Sequence, residues 1–540
     1  TTRHGGENGA VNGWVNVPLS DKVAARAVGY ALHNSGFLDN GFTGEKDIND
    51  EDTYGGRLAI RVQPVESLNV TLTGIYQHTE IGAYDRVTDH HPALVIDQSV
   101  PTPFEDRYGI VNLKIDLDLD FAVLTSSSPY FDRRRHFEND IDYFLGALGL
   151  PSGISPLTYD ATSKTQELRL ASAGDGPFKW LVGGFYLDRK ENFHQTINLR
   201  ILPPPATQGD NLYFEDTETK SEHFAGFGEV SYDVVPNLTL SAGIRWSKID
   251  RKAVQVNDGT FFGGLVVARG SFDEDSFTPK FNISYKPTDD SLIYAQAAKG
   301  FRIGGINPGL PPCAIGCAVD VSGSFDSDSL WNYEAGTKFQ LFDRALTVTD
   351  AAFLIDWKNI QLNVNREDGF NGFVNAGTAR SKGVELELKA RIGEHLRLGG
   401  QATYTDAKLR SLAPGITIAT PGMRLPDIPR WSLAGNAEWG AAIGAESYAY
   451  IRGDVQYVGS RRTGLGSTAL PADSYTLVNL RIGLEHGPYE LALFAHNLTD
   501  KRAQLSRIQL TGALNGEPIV LDRTTINVPR TIGISASRSL

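Results

Sequence analysis

The sequence predicts an all-β protein, a transmembrane antiparallel β-barrel of the 22-strand type with about 21 strands present in the chain. The first observation is that two stretches of alternating apolar and polar residues flank a tight turn ten times along the chain. An eleventh stretch, Arg530–Leu540, ends the chain without a partner. The second observation is that long segments separate these hairpins. Short turns at one end and long loops at the other are typical of outer-membrane barrels.

The alternation is clearest in Phe224–Tyr232 and Leu238–Trp246, where apolar residues fill every second position. A period of two is the pattern of a β-strand, and one apolar face on every strand indicates an apolar medium on that side. Strands of soluble sandwiches are usually about five or six residues long. These stretches are about twice that length, which a tilted strand needs to cross a bilayer.

The ten turns are short and rich in Pro, Gly, Asp and Asn, residues that preset or tolerate turn dihedral angles. In chain order they lie at 18–22, 64–67, 117–120, 173–177, 233–237, 286–290, 342–344, 392–395, 441–446 and 485–488. The long segments are predicted as external loops at 34–53, 79–108, 128–163, 191–222, 250–275, 302–330, 361–379, 410–429, 459–474 and 499–527. No linker or shift in composition divides the chain, so we expect one barrel domain over residues 1–540.

The composition is consistent with a barrel. The chain has 540 residues, 56 Gly, 2 Cys and a net charge of −13. It contains no apolar run of about 18 residues, which argues against a helical membrane protein. The acidic balance argues against nucleic-acid binding, which normally needs a basic excess. The sequence has no Gly-x-Ser-x-Gly, His-Glu-x-x-His or Walker motif, so we expect no enzyme activity, no cofactor and no metal site.

The strand count predicts a missing partner. Bacterial single-chain barrels close with an even number of strands. Val11–Val17 leads into a short periplasmic turn and therefore runs downwards, so an upward strand should precede it and pair with Arg530–Leu540. We expect the chain to begin one strand late.

Specific strings resemble the barrel of TonB-dependent outer-membrane receptors over nearly the whole chain. Seven strings occur in the family's order: Phe277–Lys280 with Ile293–Ala295, Lys299–Arg302, Tyr333–Lys338, Asn375–Gly377 leading to Lys382–Glu387, Leu425–Pro429, Asn497–Lys501 and Pro529–Gly533. The resemblance implies a 22-strand barrel around an N-terminal plug domain in the outer membrane of a Gram-negative bacterium. It also implies import of a scarce nutrient, classically a ferric siderophore, powered by the inner-membrane TonB–ExbB–ExbD complex.

Two features depart from the family pattern. The resemblance leads us to expect that the plug, the TonB-contacting segment and the first strand are missing from this chain, because Gly9-Ala10-Val11 looks like the family's second strand. The chain ends in Leu540, where the family usually has Phe or Trp, and Arg538 stands where an aromatic residue is usual. The first departure puts gating within this chain in doubt.

Period two also predicts which side chains meet lipid. In Gly383–Lys389, Val384, Leu386 and Leu388 should face lipid, and the charged residues between them should face the lumen. Tyr and Trp at strand ends should form interfacial girdles, because their rings are apolar and their polar atoms can stay hydrated. These residues are Tyr232, Trp246, Tyr285, Trp431, Trp439 and Tyr457.

Three candidate sites stand out in the predicted loops. Cys313 and Cys317 are expected to form a disulfide, as exported proteins favour; a redox or metal site is the alternative, but the spacing is not Cys-x-x-Cys. The basic run Arg133, Arg134, Arg135 and His136 would suit an anionic ligand or lipopolysaccharide phosphates, with a solvated charge run as the alternative. The third candidate set, suited to a ferric chelate or an aromatic ligand, is Tyr84, Arg86, His90 and His91.

The leading hypothesis is an outer-membrane TonB-dependent importer of a ferric siderophore. Uptake of plant-derived aromatic or glycan ligands is an alternative, because receptors of this architecture take several nutrients. A passive large-pore channel is another, although such porins usually have about 16–18 strands. Ligand identity depends on loops whose conformations the sequence does not fix.

Overall fold

The protein is described by a computed structural model. The described residues are 1–539 without 85, 89–93, 143–144, 146–149, 151, 201–207, 308, 311–320, 366–370, 415, 417–418, 466–468 and 515–516.

One antiparallel sheet of 21 strands dominates the fold, as the sequence predicts. The first eleven strands are β1 Gly9–Ser20, β2 Val23–Asn34, β3 Glu51–Val65, β4 Leu68–Ile81, β5 Phe104–Asp118, β6 Ala122–Asp140, β7 Gly153–Ser172, β8 Phe178–Arg200, β9 Gln208–Val235, β10 Leu238–Asp258 and β11 Val266–Tyr285. The remaining strands are β12 Ser291–Arg302, β13 Asp328–Leu341, β14 Leu346–Lys358, β15 Gly377–Ile392, β16 Leu396–Leu412, β17 Trp431–Ala442, β18 Ser447–Val458, β19 Tyr475–His486, β20 Tyr489–His496 and β21 Thr531–Arg538.

Each strand pairs with the next one along the chain, so the sheet is a continuous meander. The sheet curls until residues 1–3 reach the start of β21. The amine of Thr1 donates to the carbonyl of Ile532 over 2.7 Å, and the N–H of Arg3 donates to the carbonyl of Arg530 over 2.9 Å. Thr2 and Thr531 form an antiparallel bridge. Residues 1–3 therefore lie beside the extracellular end of β21.

The two faces of the sheet differ as period two predicts. On β9 and β10 the outward positions carry Tyr232 and Leu240 near the turn, Ile244 in the middle and Trp246 above, and Lys248 follows beyond the tryptophan. On β15 the outward Val384, Leu386 and Leu388 are 51%, 40% and 39% exposed. This outer apolar band matches the hydrocarbon core of a bilayer. No helix among the described residues is both long and apolar enough to cross a membrane.

One carboxylate interrupts this outer band. Asp350 of β14 lies opposite Thr337 of β13 and Leu386 of β15, and it accepts a hydrogen bond from the Thr337 hydroxyl. Leu346 and Val348 lie between Asp350 and the hairpin turn on the same face. Asp350 therefore faces lipid well inside the band, with Thr337 satisfying part of its hydrogen-bonding capacity.

Several strands continue far beyond the membrane. Much of the predicted loops 128–163, 191–222 and 250–275 is strand. β6 continues to Asp140, and β7 begins at Gly153. β8 and β9 have 23 and 28 residues, and β10 continues to Asp258. The sequence signal fails there because both faces of the sheet are wet above the bilayer. Backbone pairing continues although the apolar alternation that identifies strands has ended.

Short strand pairs and apolar clusters organise the extracellular loops. The loop strands are Asp39–Asn40, Arg86–Thr88, Val95–Ile96, Gly305–Ile306, Ser324–Phe325, Gln361–Asn365, Asn371–Asn375, Arg461–Arg462, Pro471–Ala472, Gln504–Leu514 and Glu517–Ile526. One buried cluster joins the loops after β2 and β4 to the loop before β21, through Phe37, Leu38, Val87, Leu94 and Ile526. Arg86–Thr88 also pairs with Arg523–Thr525 of that last loop. These contacts hold loops together that are far apart in sequence.

The strings that carry the family resemblance fix where loops leave the strands. Asn497 has φ +49°, and its side chain donates to the carbonyls of Lys501 and Val528 over 2.9 and 3.1 Å. Asp500, in the same string, accepts from the N–H of Arg530 over 3.0 Å and from the Arg3 guanidinium over 2.5 Å. Gly377 has φ +124°, and a Cβ there would lie 2.2 Å from the Ser411 carbonyl, so only glycine fits.

Candidate functional site

The candidate site lies on the inner face of β2–β10, above the level of the outer apolar band. There the long strands form a wall of tyrosines, arginines and carboxylates around the barrel mouth. The sheet geometry places these side chains, because directly paired residues on neighbouring strands point to the same face.

The first part of the wall is a tyrosine pair that shares one amide. The hydroxyls of Tyr30 on β2 and Tyr108 on β5 both donate to Oε1 of Gln77 on β4, over 2.7 and 3.3 Å. Tyr30 lies across Gly55 of β3, where an added Cβ would come within 2.5 Å of the phenol oxygen. Glycine at position 55 therefore lets the ring cross the strand and reach the glutamine.

The second part of the wall is provided by β6. Nε of Arg133 donates to Oδ1 of Asp106 over 2.9 Å, and this hydrogen bond raises the pKa of the guanidinium. The guanidinium carbon of Arg135 lies 4.7 Å from the centre of the Tyr159 ring on β7, which is cation–π geometry. Nε of Arg135 is buried without a hydrogen-bond partner among the described residues. Arg135 therefore keeps hydrogen-bonding capacity beside an aromatic ring.

Glu191 of β8 is the centre of the third part. It accepts hydrogen bonds from the Tyr159 hydroxyl, from Arg189 over 2.8 Å and from Arg251 of β10 over 3.3 Å. Burial of Tyr159, and then its hydrogen bond to Glu191, raise the pKa of the phenol. Tyr159 therefore stays a neutral hydrogen-bond donor at physiological pH.

The balance of charge around Tyr159 is positive. Four guanidiniums, of Arg133, Arg135, Arg189 and Arg251, lie there with two carboxylates, of Asp106 and Glu191, which leaves two positive charges. Two further inward carboxylates, Glu51 on β3 and Glu215 on β9, accept hydrogen bonds from Asn34 and Thr53 and from Tyr213 and Thr217. Tyr30, Tyr108 and Tyr159 add aromatic faces and hydroxyls. Such a wall suits an anionic ligand with aromatic or planar groups. Within the described residues, no group of three or more His, Cys, Asp or Glu side chains is arranged to hold a metal ion.

Comparison with known proteins identifies the family. The family described as TonB dependent receptor-like, beta-barrel matches residues 27–498. The chain belongs to this family. Its members are receptors and transporters of the Gram-negative outer membrane, which accounts for the apolar outer band, and this receptor is an outer-membrane protein.

Curated relatives in this comparison are named as receptors. The chain is 26% identical over 372 residues to the pesticin receptor of Yersinia enterocolitica, covering 68% of the chain and 50% of the relative. It is 29% identical over 287 residues to the metal-pseudopaline receptor of Pseudomonas aeruginosa strain UCBPP-PA14, covering 51% of the chain and 36% of the relative. The chain thus spans about half the length of these relatives or less.

Solved structures confirm the fold. The ferric yersiniabactin uptake receptor FyuA from Yersinia pestis superimposes with a TM-score of 0.81 at 18% identity, over 98% of this receptor and 79% of that chain. The siderophore receptor PiuA from Acinetobacter baumannii superimposes with a TM-score of 0.73 at 17% identity, with the same coverage. At this identity the likeness concerns the fold alone.

The basic run on β6 differs from the prediction. Arg133–His136 was predicted in an external loop, and that placement is wrong because all four residues lie in a strand. Because successive side chains of a strand point to opposite faces, Arg133 and Arg135 lie on the inner face and Arg134 and His136 on the outer face. On the outer face, Nε of Arg134 donates to Oδ1 of Asp160 over 2.9 Å, and Nδ1 of His136 lies 3.2 Å from Oγ1 of Thr158. The four residues therefore form two pairs on opposite faces of the sheet rather than one cluster.

The other predicted sites are only partly described. Tyr84 is half-buried in the loop after β4, and the backbone of Arg86 pairs with that of Thr525. His90 and His91 lie outside the described residues, as do Cys313 and Cys317. Ligand binding by Tyr84, Arg86, His90 and His91 stays a prediction, and so does a disulfide between Cys313 and Cys317.

Sequence reasoning missed the partners that complete the wall. Asp106, Tyr159 and Glu191 occupy inward positions at period two, which is the one signal that could have marked them. The sequence does not give the register that brings Glu191 of β8 to Arg251 of β10, because β9 lies between these strands. The hydrogen bonds that Glu191 accepts from three strands depend on that register.

Proposed function

We propose that this receptor imports an anionic ferric siderophore across the outer membrane, powered by the TonB complex. The positive, aromatic wall at the barrel mouth carries the proposal. Arg135 supports it most directly, because its guanidinium stacks on Tyr159 and has a buried N–H without a partner. The names of the relatives support the same substrate class, since they include a siderophore receptor of Acinetobacter baumannii and a ferrioxamine B receptor of Salmonella typhimurium.

We further propose that one more upward strand completes the barrel and that a plug domain fills its lumen in the whole receptor. Among the described strands, β1 pairs only with β2, and β21 pairs only with β20 apart from the bridge between Thr531 and Thr2. Thr1–Arg3 runs antiparallel to Arg530–Ile532, as the extracellular end of such a strand would. Unpaired N–H and C=O groups in hydrocarbon each cost several kcal/mol, so a strand between β1 and β21 would remove a large penalty.

Uptake of radiolabelled iron tests the proposed function. A strain lacking the gene and a complemented strain would be supplied with iron bound to anionic phenolate, anionic catecholate or neutral hydroxamate siderophores. We expect uptake of an anionic chelate only in the complemented strain, and loss of that uptake when TonB is deleted. Uptake that continues without TonB would indicate a passive channel. Absence of uptake for every chelate would contradict the siderophore proposal and favour an aromatic or glycan nutrient.

A further inference from the structure

A hollow of about 510 Å³ opens on the outer face of the barrel, at the extracellular ends of β18, β19 and β20. Tyr457 of β18 pairs directly with Thr476 of β19 and with Leu433 of β17, which belongs to the outer apolar band. Val455 lies on the same face, two residues nearer the membrane centre. The hollow therefore lies at the extracellular border of the band, where a plug inside the barrel does not reach. Its lining includes Tyr457, Ser474, Thr476, Thr499, Lys501 and Arg502.

The turn after β20 fixes the cationic side of the hollow. The Leu498 N–H donates to the carbonyl of Val478 on β19 over 2.7 Å, which extends the contact between the two strands into the turn. The Lys501 N–H donates to Oδ1 of Asn497 over 2.9 Å, and the Asn497 side chain donates to the Lys501 carbonyl over 2.9 Å. A hydrogen-bonded backbone therefore holds Lys501 and Arg502 beside the hollow.

The carboxylate of Asp500 also lines the hollow, but it already has partners. It accepts from the Arg530 N–H over 3.0 Å and from the Arg3 guanidinium over 2.5 Å. Burial raises the pKa of this carboxyl, but the Arg530 N–H and the charges of three arginines outweigh burial and hold the pKa below its usual value. These arginines are Arg3, Arg502 and Arg530.

The balance of charge at the hollow is positive. The cations there are Arg3, Lys501, Arg502 and Arg530, and the carboxylates are Asp500 and the exposed Asp473 beside Ser474. Two positive charges remain, in a chain whose net charge is −13. Among the described residues, neither Lys501 nor Arg502 forms an ion pair.

Three outer-face cations on other strands lie beside carboxylates instead. Lys190 of β8 and Lys220 of β9 lie 2.6 and 3.0 Å from the same carboxylate, that of Glu218. Arg134 of β6 lies 2.9 Å from Asp160. The site on β18–β20 differs from these surfaces because its cations are unpaired and border a hollow at the edge of the membrane.

The position of the hollow favours a ligand from the membrane. The exposed Leu433 and Val455 lie directly below it, and acyl chains pack against that part of the outer band. The outer leaflet of a Gram-negative outer membrane consists mainly of lipopolysaccharide, whose lipid A headgroup carries phosphates. Guanidinium and ammonium groups donate charge-assisted hydrogen bonds to phosphate oxygens, and basic pockets at a membrane surface bind lipid headgroups in this way.

We propose that this hollow binds a lipid A phosphate of lipopolysaccharide in the outer leaflet. The residues that contact the phosphate are Lys501, Arg502, Thr476 and Thr499. Arg3 and Arg530 add to the positive potential of the site. The site lies on the outer face, so it is separate from the mouth wall and does not depend on which ligand the receptor imports.

Native mass spectrometry tests the site on the purified full-length receptor in a non-ionic detergent. Titration with bisphosphorylated lipid A should show binding, and dephosphorylated lipid A with the same acyl chains should bind at least about tenfold more weakly. The K501Q/R502Q variant should bind bisphosphorylated lipid A at least about tenfold more weakly, because two charge-assisted contacts are lost. The K501R/R502K variant keeps both charges and should retain more of the affinity than the glutamine variant.

The matched control is K190Q/K220Q, which removes the same charge from the outer face and should leave the affinity unchanged. Should the double glutamine variant fail to fold, the single variants K501Q and R502Q each give the comparison. The proposal is wrong if the wild-type receptor does not bind lipid A, or binds the dephosphorylated form equally well. Equal loss in K190Q/K220Q would also overturn it, because the general field of the outer face would then explain binding. Inorganic phosphate that binds as tightly as lipid A would show that the ligand is a soluble anion rather than a lipid.

Discussion

Arg302 and Asp328 form an ion pair at the extracellular ends of β12 and β13, in which Nε of Arg302 donates to Oδ2 of Asp328 over 2.9 Å. The Asp328 side chain is 1% exposed and also accepts from the N–H of Gln361 over 3.1 Å. The Arg302 guanidinium lies 4.7 Å from the Trp357 ring and donates to the carbonyl of Gln361 over 3.0 Å. The pair therefore ties the loop after β14 to two other strands.

Replacing Asp328 with asparagine should loosen this loop. Breaking a fully buried ion pair costs about 3–5 kcal/mol of stability. Because Arg302 is 47% exposed, we expect D328N to lower the local free energy of unfolding by about 2 kcal/mol. Hydrogen exchange at the Gln361 amide should become about thirtyfold faster. D290N is the control, because Asp290 and its partner Arg344 are 46% and 67% exposed and such pairs contribute about 0–1 kcal/mol. Equal effects of the two variants would contradict the structural role of Asp328.

The sequence predicts the strand count and the hairpins because a bilayer enforces period two at every outward position. Leu240, Ala242 and Ile244 on one face, against Ser241 and Gly243 on the other, leave one register possible. Above the bilayer this constraint ends, and the strand over Arg133–His136 was predicted as a loop for that reason. The mouth wall also depends on contacts across non-neighbouring strands, such as Arg251 with Glu191, that no local pattern encodes.

The extracellular ends of β8 and β9 should be more stable in acid. Glu215 is 4% exposed, and burial raises the pKa of its carboxyl although Tyr213 and Thr217 donate to it over 2.5 and 2.8 Å. Because the folded pKa is above the unfolded one, the folded state binds this proton more tightly. The resulting stability is present at low pH and is lost as pH rises through the folded pKa.

Hydrogen exchange of this region, measured between about pH 4 and about pH 8 and corrected for intrinsic rates, should show protection falling as pH rises. The E215Q variant removes the titrating group, so its protection should change less with pH. The charge of the neighbouring Asp216 also raises the pKa of Glu215, so D216N should reduce the dependence without abolishing it. A wild-type protein whose protection rises with pH would contradict the assigned burial of Glu215.

Neighbouring arginines on β6 should differ in function because they face opposite sides of the sheet. R135Q should raise the concentration of ferric siderophore needed for half-maximal uptake by about tenfold, since one charge-assisted contact is lost. R134Q should leave it unchanged, because Arg134 faces outwards to Asp160. Surface expression of both variants, measured by antibody, provides the control. If R134Q weakens uptake as much as R135Q, the ligand does not use the inner wall.

The effect of a charge substitution on barrel assembly should depend on which face of β15 carries it and on the residue opposite. L388R places a guanidinium in the outer band opposite Val348 and Gly400. The substitution should destabilise the assembled barrel by about 2–4 kcal/mol and so impair assembly. E387R faces the lumen and should assemble normally. L386R should be milder than L388R, because Asp350 lies directly opposite on the same face and can pair with the new guanidinium.

The heat-modifiable, detergent-resistant fraction of each protein measures assembly of these variants. Adding D350A to L386R should remove its advantage, so that the double variant assembles as poorly as L388R. The D350A variant alone should assemble at least as well as the wild type, because it removes a carboxylate from hydrocarbon. Equal assembly of L386R with and without Asp350 would show that the carboxylate does not face lipid beside residue 386.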